Sequence, residues 1–234
     1  IICPSGCGKT TLLNLLAGFE SPTFGRIFFK GEEIKGPGPG RAMIFQTPTL
    51  YPWLTVSQNI EFGLKIQGYD KMKRNQIAME YLSLIRLRQF ANSRPHELSM
   101  GMKQKVELIR ALALNPDVLL MDEPFSALDS LSRNKLQDEL LRIWLHTKKT
   151  VVFVTHNVEE AVYLGDRAIV FTPLPGMVKA NVVIDIPKPR SRLDKDIHLA
   201  QKVIVSELEG EANSCTKRYY KLFDKEKSEC EEKI

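Results

Sequence analysis

Residues 3–10 read Cys3-Pro4-Ser5-Gly6-Cys7-Gly8-Lys9-Thr10. Apart from Cys3, which stands where a first glycine belongs, this is the pattern of a loop that wraps a polyphosphate at the junction of a strand and a helix. Ile1 and Ile2 supply the end of the strand, and Thr11 to Ala17 supply the helix. Gly6 and Gly8 let successive backbone N–H groups turn inward, where a Cβ would crowd the anion. In such a loop the lysine, here Lys9, meets the outer phosphate oxygens, and the hydroxyl of Thr10 is placed to coordinate Mg2+. The helix adds positive potential at its N-terminus. Ser5, Gly6, Cys7, Gly8, Lys9, Thr10 and Thr11 are the expected nucleotide contacts. Cys3 lacks glycine's backbone freedom, so either strain or an altered turn is expected there, with affinity at stake rather than binding itself.

The 234 residues, 43% of them hydrophobic, suffice for one large domain or a domain carrying an inserted lobe. No apolar run reaches the ~18 residues that cross a bilayer, and no charged-then-apolar leader precedes a cleavage site, so a soluble chain is expected. Because the chain opens inside a strand, the first strands of the domain are expected to lie upstream of residue 1. The net charge of +5 comes from 33 basic and 28 acidic residues that are interspersed rather than blocked, which argues against a nucleic-acid partner. The cysteines are Cys3, Cys7, Cys215 and Cys230, with no C-x-x-C pair, so neither a zinc site nor a disulfide framework is expected, and a reducing compartment fits.

Strands are predicted at Arg26–Lys30 and Met43–Phe45, separated by a Gly/Pro loop from Gly36 to Gly40. Apolar spacing predicts helices over Ser57–Leu64 and Asn75–Leu87, and Ser99 is a natural N-cap for a third over Gly101–Leu114. Further along, strands at Val118–Met121 and Val151–Val154 alternate with helices at Leu131–Leu145 and Val158–Leu164, the rhythm of a parallel sheet with crossover helices. Ala168–Phe171 and Met177–Ile186 add strands across a Pro/Gly turn. Residues 191–234, rich in Lys, Glu and Ser, are read as one or two peripheral helices.

The strand Leu119-Leu120-Met121 ends in Asp122, a carboxylate placed to hold Mg2+ through water, and Glu123 follows as a candidate general base for an attacking water. Upstream runs Leu98-Ser99-Met100-Gly101-Met102-Lys103-Gln104. Here the chain resembles the ATP-binding subunit of an ATP-binding cassette (ABC) transporter, whose signature is L-S-G-G-Q. The resemblance continues in Gln46 as the Q-loop glutamine, in Ser126-Ala127-Leu128-Asp129 as the D-loop, and in His156 as the switch histidine.

The resemblance implies an α/β fold, a RecA-like P-loop NTPase core with a mostly parallel sheet and an inserted α-helical subdomain. Residues 1–46 and 116–190 would form the core, 47–115 the helical signature subdomain, and 191–234 a C-terminal helical extension. It implies ATP and Mg2+ as ligands, with Thr10, Gln46 and Asp122 around the metal and Glu123, His156 and Gln46 in the hydrolytic step. Ser99, Gly101 and Asp129 would meet the nucleotide of a partner copy, in a homodimer or with a second ABC ATPase subunit. Transmembrane permease subunits, an indirect solute-binding protein and a peripheral place on the cytoplasmic face of a prokaryotic membrane complete that expectation. His96, His146 and His198 match no motif.

Met102-Lys103-Gln104-Lys105, Gly36-Pro37-Gly38-Pro39, Tyr51-Pro52-Trp53-Leu54-Thr55-Val56 and Pro175-Gly176 are similar to importers of nitrate, sulfonate and taurine. Met100 departs from the signature by replacing its first glycine, which sets closure of the dimer in question. An exporter or lipid-handling system, or a module that clamps ATP without cleaving it, are the alternatives. A soluble DNA-repair or translation ABC protein is disfavoured, because the chain has neither long coiled-coil insertions nor a second cassette.

Overall fold

The computed structural model describes residues 1–3 and 6–210, which divide into two compact units: Thr10–Phe153, and Ile1–Lys9 together with the chain from Val154 onward. The sequence-predicted elements at residues 211–234 lie outside the described residues.

α1 (Lys9–Ala17) starts two residues before the expected Thr11, directly on the loop lysine, and continues into the first unit. It stops at Gly18, whose positive φ of 85° allows the N–H groups of Gly18 and Phe19 to turn back onto the Asn14 carbonyl, at 3.0 and 2.9 Å. β1 (Phe28–Phe29) and β2 (Glu32–Glu33) form a hairpin, with Phe29 opposite Glu32. The two residues between them, Lys30 and Gly31, have φ of 52° and 83°, as a tight type I′ turn requires.

β3 (Arg41–Ile44), β4 (Val118–Asp122) and β5 (Thr150–Val154) make a sheet in that order. β3 and β4 are parallel and in register from Arg41 opposite Val118 to Ile44 opposite Met121. Both therefore deliver their following residues, Gln46 on one side and Asp122–Glu123 on the other, to the same carboxyl edge.

Between β3 and β4 the chain is helical. α2 (Val56–Ile66) begins with a capping box in which Gln58 N–H donates to Thr55 Oγ1 at 3.2 Å and Thr55 N–H donates to Gln58 Oε1 at 2.9 Å. α3 (Lys71–Leu84) starts four residues before the predicted Asn75, because the Asp70 carboxylate accepts from Lys73 N–H at 3.0 Å and starts the helix there. α4 (Met100–Ala113) is capped by Ser99 as expected, and it buries residues on almost every side: Val106, Leu108, Ile109 and Leu112, but also Gln104 and Glu107. α5 (Ser130–Thr147) leads from β4 to β5.

In the second unit, Ile2 is bridged in parallel fashion to Thr155 and to Val170, so the residues before the phosphate loop run as a strand between two others. α6 (Val158–Leu164) precedes β6 (Arg167–Phe171), which pairs antiparallel with β7 (Val178–Val183). The short Pro/Gly connection between β6 and β7 permits a hairpin, not a crossover, so this two-stranded sheet is antiparallel. α7 (Lys195–Glu209) is not peripheral as the composition suggested. Its Ile197, Ala200, Val203 and Ile204 are buried with Ile2, Val162, Val170 and Val182 in one core.

Arg190 ties this unit together. It is 6% exposed, and its guanidinium donates to the carbonyls of Val162 at 2.5 Å, Gly165 at 2.6 Å, Ile184 at 3.1 Å and Ile186 at 2.9 Å. It thus closes the open C-terminal carbonyls of α6 and fastens them to the end of β7. Arg190→Ala strands these acceptors and is expected to destabilise the chain by about 3 kcal/mol, read from urea unfolding midpoints.

Candidate nucleotide site

The phosphate loop leaves the strand at Cys3, and its left-handed backbone angles fall on Gly6 and Gly8, at φ of 83° and 97°, where only hydrogen on Cα is free of strain. Ser5 lies outside the described residues. Lys9 is 9% exposed and its Nζ donates to the Cys3 carbonyl at 3.3 Å, so the lysine is folded back along its own loop. A Cβ at Gly176, in the turn between β6 and β7, would stand 2.2 Å from the Cys7 carbonyl oxygen, so that turn lies directly against the loop.

One expectation is overturned here. Cys3 and Cys7 are joined as a disulfide, with their Cα atoms 6.6 Å apart. Spacing along the chain suggested no pairing, but a phosphate loop doubles back on itself and brings these two Cα atoms within the span of a bridge. Both cysteines are buried.

In the unit of residues 10–153 the strand edges gather a second group. Thr10 Oγ1 donates to Asp122 Oδ2 at 2.7 Å. Asp122 is 7% exposed at the end of β4. Glu123 follows with φ of 44°, a left-handed backbone that costs a residue with a side chain about 1 kcal/mol and persists only where neighbours enforce it. Ser126 is that neighbour: its N–H and Oγ both donate to the Glu123 carbonyl, at 3.1 and 3.0 Å. Gln46 Nε2 in turn donates to Ser126 Oγ at 3.3 Å, which brings the residue after β3 to the turn after β4.

Thr11 is exposed in the first turn of α1. Ser99 is exposed and its hydroxyl accepts from Met102 N–H at 3.3 Å, beside Gly101 and a Met100 that is 42% exposed. Asp129 caps α5 by accepting from Ser132 N–H at 3.0 Å, a bond that holds its carboxyl below the ordinary aspartate range. His156 is exposed, after a Thr155 whose Oγ1 donates to the buried Glu160 at 2.6 Å and accepts from Asn157 N–H at 3.0 Å. That pair of bonds fixes the backbone on both sides of the histidine.

Among the described residues no group of three or more His, Cys, Asp or Glu side chains is gathered as a protein cage for a metal. A hydroxyl and a carboxylate side by side, Thr10 and Asp122, are instead the hard-oxygen donor pair that Mg2+ uses when phosphate and water complete its shell. The residues present therefore fit that ion.

Sequence reasoning passed over Ser126 as a positioning group for Glu123 and Gln46, and it passed over Thr49, Glu107 and Arg110 altogether. The signal for Glu107 was legible: a carboxylate between Val106 and Leu108 in a helix otherwise destined for burial.

The ABC transporter family model matches residues 1–126. An uncharacterized ABC transporter ATP-binding protein of Methanocaldococcus jannaschii is 48% identical over 211 residues, 90% of this chain and 79% of that protein. The taurine import ATP-binding protein TauB of Pelagibacter ubique is 45% identical across 86% of this chain and 76% of its own length. The nitrate import ATP-binding protein NrtD of a Synechocystis species is 45% identical across 78% of this chain and 69% of its own. Among solved structures, a dimeric ATP-binding cassette in a post-hydrolysis state with ADP and Pi superposes with a TM-score of 0.68 and 31% identity, covering 80% of this chain and 84% of that one. With a phosphate loop, a strand-end Asp-Glu pair and a capped signature helix in one α/β fold, the chain belongs to the ABC transporter family and is one of its ATP-binding subunits.

Proposed function

We propose that this chain hydrolyses Mg-ATP as the motor subunit of an importer for a small solute such as taurine, nitrate or a sulfonate. The observation that carries the hydrolytic part is the register of β3 on β4, which puts Gln46, Asp122 and Glu123 at one strand edge with the Thr10 hydroxyl on Asp122. The import part is supported by the names of the relatives, two of which are import proteins for taurine and nitrate.

In this reading Lys9 leaves the Cys3 carbonyl for the β- and γ-phosphates, while the N–H groups around Gly6 and Gly8 take the remaining oxygens. Thr10, Asp122 and Gln46 hold Mg2+, which when bound neutralises charge on the phosphate oxygens. Glu123 accepts the proton of the attacking water, oriented by Gln46, and His156 donates to the γ-phosphate. Ser99, Gly101 and Asp129 face the nucleotide of a second copy or a second ATPase subunit, and the helical segment 47–115 carries that face. The dimer closes on ATP because only the triphosphate contacts both halves, and hydrolysis releases it.

Permease subunits in the membrane take up the motion, with a solute-binding protein outside and this subunit peripheral on the cytoplasmic face. No helix among the described residues is long and apolar enough to cross a membrane.

The test is reconstitution in liposomes with the permease subunits and the solute-binding protein, measuring labelled taurine and nitrate. ATP-dependent accumulation of either is expected. Phosphate release with outward movement of solute, or nucleotide binding without phosphate release, would replace this reading with an exporter or with a clamp.

A further inference from the structure

Thr49 is exposed, yet every polar group it owns is held by α4. Its N–H and hydroxyl both donate to Glu107 Oε1, at 3.1 and 2.7 Å. Its carbonyl and hydroxyl oxygens accept from Arg110, both at 2.8 Å. Arg110 also reaches Glu107 Oε1 at 3.1 Å and lies against the Tyr51 ring, 5.6 Å from its centroid. Two residues separate Thr49 from Gln46, and one of them is Pro48, which fixes its own φ and restricts Thr47. At the other end of this short span Gln46 meets Ser126, which grips Glu123. A displacement of α4 therefore has little slack to take it up before it reaches the Gln46 side chain.

Glu107 is an expensive way to hold a loop. It is 1% exposed, its second oxygen, Oε2, is buried with no hydrogen-bond partner, and one turn earlier the buried Gln104 Nε2 is equally unmatched. Burial pushes the Glu107 carboxyl above the ordinary glutamate range, which its bonds to Thr49 and the Arg110 charge offset only in part. An acid whose pKa rises on folding binds its proton more tightly folded than unfolded, so stability falls as pH climbs through that pKa and ionisation of Glu107 opposes folding. A carboxylate kept where it opposes folding is better explained by what it holds than by what it stabilises.

We propose that Thr49, Glu107 and Arg110 form a positioning clamp through which the signature helix α4 sets the placement of Gln46, and with it the rate of the hydrolytic step. The inference rests on the hydrolytic role proposed for Gln46 above. Charge-assisted bonds to one carboxylate oxygen give the clamp its stiffness, and the Thr49 hydroxyl is its shared element because it both donates to Glu107 and accepts from Arg110.

The experiment measures ATP turnover, KM for ATP and thermal unfolding of the full chain with its permease partners, for the wild type, Thr49→Val, Thr49→Ser and Glu107→Gln. Thr49→Val is expected to lower kcat about 10-fold with KM unchanged, and Thr49→Ser to restore wild-type kcat. Glu107→Gln is expected to lower kcat to a similar extent while its unfolding temperature stays the same or rises. Wild-type turnover in both Thr49→Val and Glu107→Gln overturns the clamp, as does a kcat loss that follows a fall in unfolding temperature, or a serine variant as slow as the valine one. Absence of turnover in the wild type itself removes the underlying hydrolytic reading and the clamp with it. Should Glu107→Gln fail to fold, the Thr49 pair at its exposed position decides alone.

Discussion

Glu123→Gln is expected to bind ATP as tightly as the wild-type chain and to lose at least about 100-fold of its turnover, because the amide keeps the shape of the carboxylate but cannot take a proton from water. The backbone of this residue is held in place by Ser126 through bonds to its carbonyl, which the substitution leaves intact, so the turn after β4 survives the change. A second consequence is structural: with ATP uncleaved, the variant accumulates as a nucleotide-bound dimer, visible by gel filtration or light scattering with and without ATP. Unchanged turnover would take Glu123 out of the role of base, and a monomer that still holds ATP would remove the link between the γ-phosphate and closure.

Lys9→Ala is expected to abolish measurable ATP binding, with affinity down about 100-fold or more, since it deletes a buried cation whose charge-assisted bonds no other residue of the loop replaces. The lysine donates to the Cys3 carbonyl within its own loop, so the variant also loses a bond in the absence of nucleotide. Thermal unfolding without ATP separates that local loss from the lost ligand contact: a small shift without nucleotide, together with no ATP-dependent stabilisation, identifies the phosphate role. Titration calorimetry showing wild-type affinity would refute it. The two variants fail at different stages, one before and one after closure, so a mixed dimer of them reports whether both sites of a pair must fire.

The fold was legible where local chemistry decides it. Ser99 announced α4, and the apolar run before Asp122 announced β4 and the edge on which the carboxylates stand. Where a distant partner decides, the sequence was silent. α7 looked peripheral because its scattered Ile and Val show their use only against Ile2, Val170 and Val182. Of the proposed site, Lys9, Thr10 and the Asp122–Glu123 pair stood out from their motifs, and Gln46, Ser99, Asp129 and His156 came from the family resemblance. The residues that hold them in place were not legible, because Ser126 on Gln46 and Glu107 on Thr49 are contacts across 80 and 58 residues. The Cys3–Cys7 bridge escaped for a related reason, since a loop's curvature is invisible to spacing rules.

The backing of the phosphate loop by Gly176 has a consequence for how this chain tolerates change. Even a methyl group at that position would collide with the Cys7 carbonyl, whereas the site it perturbs lies about 170 residues away along the chain. A library randomised at position 176 and selected for nucleotide retention should return glycine almost alone, and any survivor should carry a compensating change in the loop itself rather than in the neighbouring strands. Position 176 would thus register in sequence variation as part of the loop it touches.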